Sequence, residues 1–233
     1  MPVFYLSERS LAFPHPELAN EDGVLAIGGD LSPERLLVAY ENGIFPWFNP
    51  NDPILWWSPD PRFVLYPDKL KVAKSMRPYF NQNKYQVTYD THFRDVISAC
   101  QQTRRKRGGG GTWITDEMLE AYCKLHELGY AHSVEVWQGE ELVGGLYGIS
   151  LGKCFFGESM FMKAANASKF GFISLVRQLQ QLDYWLIDCQ QHTDHLASLG
   201  AEDMERMEFL KILKRNAQEV TMVGKWTDIF GNI

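Results

Sequence analysis

From Tyr85 onward the chain switches repeatedly between two hydrophobic rhythms. "YQVTY", Tyr85 to Tyr89, alternates as a strand does, whereas apolar residues return every three to four positions from His92 to Gln102 and from Asp116 to Leu128, predicting two helices. "AHSVEVW" then predicts a strand, "QGEE" a turn, "LVGGLYGIS" a second strand, "LGK" another turn and "CFFGESMF" a third strand, which together make an antiparallel meander. Asn166 is placed to cap a long helix running through Gln181, "YWLIDCQ" forms one more strand, and "MERMEFLKILKRNA" a closing helix.

The first third is different. Ser32 and Pro33 suit an N-cap and a first-turn proline of a short helix through Tyr40, closed by Asn42 and Gly43. Around it lie turn-rich stretches in which Trp47, Phe48, Trp56 and Trp57 crowd together. These aromatics fit either the core of a small domain or a platform on which a base stacks. Helices and strands mixed in this way, with hairpins in the middle, indicate an α+β fold with a central sheet.

Composition narrows the class. A chain of 233 residues, 45% hydrophobic, can bury one core or two unequal ones. The start carries no basic segment followed by an apolar one, and no apolar run approaches the roughly 20 residues that span a bilayer, so a cytoplasmic protein is expected. Cys100, Cys123, Cys154 and Cys189 form no Cys-x-x-Cys pair, which argues for buried thiols rather than zinc or disulfides. A formal charge of −6 speaks against general coating of nucleic acid but allows local basic patches. Two exist: a stripe of Lys69, Lys71, Lys74 and Arg77 beside Tyr79 and Phe80, and "RRKRGGGG" from Arg104 to Gly111. The glycine run lacks the Gly-Lys-Ser/Thr of a phosphate loop and reads as a flexible connection.

The stretch "DCQQHTDHLASLGA", Asp188 to Ala201, concentrates polar chemistry at a strand end. Alternation puts Asp188 and Gln190 on one face and Ile187 and Cys189 on the other. Glu158 follows Gly157 in a neighbouring strand, amid Phe155, Phe156, Met160 and Phe161, where a carboxylate is costly unless paired or protonated. Adjacent strands would bring all three polar groups to one cleft, although turn chemistry alone accounts for Asp188. His192 and His195 have no third ligand at metal-site spacing, and Cys189 has no activating signature. Phe172, Leu175 and Leu179 share a helix face that, with Leu146, Met160 and Ile187, walls an apolar pocket or simply packs the core.

"GGDLSPERLLVAYENGIFPWF", "PILWWSPDPR", "GTWIT", "AYCKLHELGYAHSVEVW", "LVGGLYGI", "GESMF", "NASK" and "DCQ....HLASLGA", in this order, resemble the leucyl/phenylalanyl-tRNA-protein transferase family of bacteria. The resemblance implies a small N-terminal domain, residues 1–64, followed by a GNAT-like catalytic domain, residues 65–233, whose central mixed, largely antiparallel sheet is flanked by helices. It implies transfer of leucine or phenylalanine, less well methionine, from its tRNA to the α-amine of proteins beginning with arginine or lysine, marking them for N-end rule degradation. It implies that neither metal nor coenzyme takes part, the aminoacyl-tRNA being the activated donor. Catalysis is then expected of Asp188, Gln190 and Glu158, with Asp188 polarising Gln190 and Glu158 holding the acceptor's ammonium or basic side chain. Leu146, Met160, Phe172, Leu175, Leu179 and Ile187 would line the side-chain pocket. Trp47, Trp113 and Tyr122 would lie near the terminal adenosine, and Lys69, Lys71, Lys74 and Arg77 on acceptor-stem phosphates. The competing readings are a coenzyme-A-dependent N-acyltransferase and a tRNA- or peptide-binding module without catalysis.

Overall fold

Short strands, too brief to show a period, open the chain. The computed structural model describes residues 3–103 and 113–230, so the basic glycine-rich stretch from Arg104 to Gly111 lies outside the described residues. β1 (Phe4–Leu6) and β2 (Val24–Gly28) precede α1 (Pro33–Glu41), then come β3 (Phe45–Pro46), β4 (Leu55–Trp57) and β5 (Arg62–Leu65). The rest runs α2 (Arg77–Asn81), β6 (Gln86–Tyr89), α3 (Phe93–Gln102), α4 (Asp116–Glu127), β7 (Ala131–Gln138), β8 (Glu141–Leu151), β9 (Cys154–Met162), α5 (Ala167–Gln181), β10 (Leu186–Gln190), α6 (Asp194–Ala197), β11 (Glu202–Met204), α7 (Arg206–Asn216) and α8 (Thr227–Phe230).

A small sheet takes the order β1-β2-β4-β3, and a large one β11-β5-β10-β9-β8-β7-β6. The turn-rich first third is therefore more than loop held by aromatics. Trp56 is fully buried and donates its indole N–H to the Gly28 carbonyl at 2.8 Å. In the large sheet β9 and β10 pair in parallel while the remaining described pairings are antiparallel, which is the mixed, largely antiparallel sheet expected. β5 belongs to this large sheet and straddles the boundary expected after residue 64.

Helices cover both faces, α5 on one and α3 with α4 on the other. Gly144 and Gly145 make the close approach possible. A Cβ on Gly144 would stand 2.7 Å from that of Ala167 in α5, and one on Gly145 would crowd Phe161 and reach 3.3 Å from Val96 in α3. Ser32 caps α1 as expected, its hydroxyl accepting the Arg35 N–H at 3.4 Å. Asn166 differs: it precedes α5 in a left-handed conformation, and its amide donates to the Tyr79 hydroxyl at 3.1 Å instead of capping.

The tail returns to the sheet. Trp226 is fully buried, stacked on His132 with ring centroids 4.0 Å apart, and its backbone N–H reaches the Asp90 carboxylate at 2.7 Å. No helix among the described residues is long and apolar enough to cross a membrane.

Candidate active site

The parallel ladder between β9 and β10 ends at the pair Asp188 and Phe156. Both strands are irregular here. In β9, Gly157 pairs with Gly148 and Ser159 with Tyr147, leaving Glu158 as the extra residue of a bulge. In β10, Asp188 pairs with Val64 and Gln190 with Phe63, so Cys189 is extra, and Gln190 takes a left-handed φ of 62°. The two bulges face each other across the strand ends, and Gln190 Nε2 donates to Glu158 Oε1 at 2.7 Å. Gln190's backbone N–H donates to Asp188 Oδ1 at 2.9 Å. The three polar groups read from the sequence thus converge, but through bulges rather than simple alternation. Ile187 and Cys189 line the same cavity as Asp188 and Gln190, and the bulge places Cys189 as the extra residue between the two polar ones.

That cavity has a volume of about 560 Å³. Leu146, Met160, Phe172 and Ile187 are in its wall, as are Trp47 and Trp113. Leu175 and Leu179 are not: both are fully buried in the core between α5 and the sheet. The i, i+3, i+7 stripe therefore divides, its first member facing the cavity and the other two packing. Tyr122 is likewise fully buried and absent from the cavity wall. His195 lines the cavity, while His192 is exposed and packs edge-on against Phe63 at 4.7 Å. Lys69, Lys71, Lys74 and Arg77 are exposed, and Lys69 Nζ pairs with Glu202 at 2.5 Å.

Two groups that hold the site were not read from the sequence. Arg62 grips both oxygens of Asp188, Nε at 2.8 Å and Nη2 at 2.6 Å, in a pair that is almost completely buried. Its Nη1 donates to the Gly43 carbonyl at 3.0 Å. Tyr40, from α1, donates to Glu158 Oε1 at 2.7 Å. Tyr122 approaches Oε2 at 2.9 Å. Both Glu158 oxygens are thereby engaged within the protein, which leaves the carboxyl poorly placed to receive an acceptor's ammonium. Burial pushes Glu158 up to about 7, with the Asp188 charge adding to the rise and the bonds from Tyr40, Tyr122 and Gln190 opposing it. Burial also lifts the Tyr40 and Tyr122 hydroxyls well above the usual phenol range, with the Glu158 charge next in size. The Cys189 thiol is pushed far up by burial and then by Asp188, so it is a poor nucleophile.

A buried amide aimed beside an apolar cavity, with an acid on each side, suits a reaction in which an amine is oriented and an acyl group lodged. Residues 64–214 match the family described as leucyl/phenylalanyl-tRNA protein transferase, and residues 29–60 match that family's N-terminal domain. A leucyl/phenylalanyl-tRNA–protein transferase of Desulforapulum autotrophicum is 54% identical, covering 97% of this chain and 98% of its own. The Myxococcus xanthus protein of the same description is 56% identical over 98% of this chain and 97% of its own. That of Christiangramia forsetii is 60% identical over 86% and 95%. Among solved structures, an aminoglycoside acetyltransferase from an uncultured soil metagenomic sample is similar over 59% of this chain and 92% of its own, at 13% identity and a TM-score of 0.36.

Proposed function

The chain belongs to the leucyl/phenylalanyl-tRNA protein transferase family, and from that premise we propose that it moves leucine or phenylalanine, less readily methionine, from its tRNA to the α-amine of proteins beginning with arginine or lysine. Acceptors so extended are marked for N-end rule degradation in the cytoplasm. The observation that carries the reading is the Gln190 amide, held by Glu158 through its nitrogen at the wall of an apolar cavity.

An aminoacyl ester is already activated, so the protein's work is to aim the amine and to lodge the acyl side chain. The amine nitrogen attacks the ester carbonyl carbon, the bond to the ribose 3′ oxygen breaks, and the proton lost by the amine ends on that oxygen. Gln190 Oε1 accepts a hydrogen bond from the attacking amine and sets its approach. Asp188 acts through Gln190 by holding its backbone N–H. The donor side chain enters among Leu146, Met160, Phe172 and Ile187, where full burial of leucine or phenylalanine gains roughly 1.5–3 kcal/mol. Trp47 and Trp113 offer ring faces for the terminal adenine, and Lys71, Lys74 and Arg77 exposed cations for acceptor-stem phosphates. No coenzyme or metal has a part in this scheme.

The test is an incubation with radiolabelled Phe-tRNA and a peptide beginning with arginine, alongside labelled acetyl-coenzyme A, with ribonuclease added to a parallel Phe-tRNA sample. Label that reaches the peptide and disappears with ribonuclease is the expected result. Label arriving from acetyl-coenzyme A, or tRNA binding without transfer, would overturn the proposal.

A further inference from the structure

Glu158, Tyr40 and Tyr122 meet in a triangle closed to solvent: both tyrosines are fully buried and Glu158 is 8% exposed. Tyr40 Oη lies 2.7 Å from Glu158 Oε1, Tyr122 Oη lies 2.9 Å from Oε2, and the two phenol oxygens lie 2.5 Å from each other. Every such oxygen–oxygen approach needs a hydrogen between the atoms, because two unprotonated oxygens at this range repel. Three approaches meet two phenol hydrogens. The carboxyl is the remaining member of the triangle, and the one able to carry a third.

We propose that Tyr40 and Tyr122 are positioning residues that close a ring of three hydrogen bonds with a neutral Glu158 carboxyl, and that this ring fixes the orientation of the Gln190 amide. The directions follow from Gln190. Its Nε2 donates to Oε1, so Oε1 is the carbonyl-like oxygen and also accepts from Tyr40. Oε2 then bears the hydrogen and donates to Tyr122, which in turn donates to Tyr40. Flipping the Gln190 amide would set its oxygen against Oε1, which has no hydrogen to offer. The nitrogen therefore stays on Glu158 and the amide oxygen is left for the substrate. Tyr40 comes from α1 in the first third of the chain, so that segment completes the site from behind.

The surrounding groups agree with a neutral carboxyl. Asp188 on β10 bears the nearby negative charge, and Arg62 on β5, the cation beside it, is gripped by Asp188. Tyr147 on β8 packs edge-on to Tyr122 at 5.5 Å, and burial drives His195, at the cavity wall from α6, toward its neutral form. Burial of Glu158 itself lifts its carboxyl to about 7.

The role assigned to Gln190 rests on the transfer reaction proposed above, but the state of Glu158 can be measured without it. The full chain labelled with ¹³C-carboxyl glutamate would be titrated by NMR, with Glu158→Gln identifying the resonance. One carboxyl still protonated at pH 6 and absent from that variant is expected. A Glu158 that titrates with the ordinary glutamates overturns the ring. Separately, Tyr40→Phe and Tyr122→Phe, which keep the packed rings, should each lower kcat roughly 10- to 100-fold with KM for the donor tRNA unchanged. Unchanged kcat, or a loss confined to KM, removes the positioning role. A protein that transfers nothing while Glu158 titrates near neutrality would defeat the transfer reading alone, and one that transfers while Glu158 titrates near 4.5 would defeat the ring alone.

Discussion

Arg62 and Asp188 lie 126 positions apart and meet as a bidentate ion pair, each side chain 1% exposed. The guanidinium is also sandwiched by rings, 4.8 Å from the centroids of Phe45 and Phe209. A catalytic role alone would let a change at Asp188 affect turnover and leave stability intact. The pair alters that expectation. Asp188→Ala leaves a buried, unmatched guanidinium, and Arg62→Met leaves a buried carboxylate, so each should lower stability by about 3–5 kcal/mol as well as abolish transfer. Urea unfolding of both single variants and of the double variant checks this. If the pair acts as a unit, the double variant is less destabilised than the sum of the two.

Glu158 makes stability depend on pH in an unusual direction for an acid. Its ordinary value is 4.5, and burial raises it to about 7 in the folded protein. Between these values the unfolded chain has released its proton while the folded one keeps it. The group's contribution is therefore complete below about pH 4.5 and is lost as pH rises through 7, by roughly 3 kcal/mol in all. Urea midpoints of the parent and of Glu158→Gln at pH 5 and pH 8 should show the parent losing more. Parallel slopes would refute the assignment.

The exposed cations Lys71 and Arg77 should report tRNA binding through salt. Changing both to alanine should weaken tRNA binding and reduce the slope of log affinity against log salt by about 1 for each phosphate no longer neutralised. Lys69→Ala should do less, since its ammonium is engaged by Glu202. Filter binding from low to moderate salt distinguishes these outcomes.

Cavity and core can be separated within one apolar set. Met160 lines the cavity and is partly exposed, so Met160→Ala should enlarge the slot and shift kcat/KM toward phenylalanine over leucine by roughly tenfold. Leu175 is fully buried outside it, and Leu175→Ala should instead cost about 2–5 kcal/mol of stability while leaving that ratio unchanged. Competition between Leu-tRNA and Phe-tRNA, with thermal unfolding alongside, tests both.

What the sequence revealed, and what it hid, follows from the range of the interactions. The helices at 93–102, 116–127 and 167–181 span several turns, so their apolar period shows. Strands of two or three residues such as β1, β3, β4 and β11 cannot display alternation, and three of the small sheet's four strands were invisible for that reason. Asp188, Gln190 and Glu158 stood out as polar residues in apolar runs. Arg62 and Tyr40 did not, since nothing local distinguishes an arginine or tyrosine whose partner lies more than a hundred residues away. The bulges were hinted at by Gly157 alone. Which members of the Phe172, Leu175, Leu179 stripe reach the cavity depends on how α5 seats on the sheet, which helical spacing leaves open.

Cys189 sits at the reaction cavity with its sulfur held as the thiol, and Cys100, Cys123 and Cys154 are buried in the core. Alkylating agents and mild oxidants act on thiolates. Burial raises the Cys123, Cys154 and Cys189 thiols alike, so iodoacetamide should leave these three unmodified in the native protein until it unfolds.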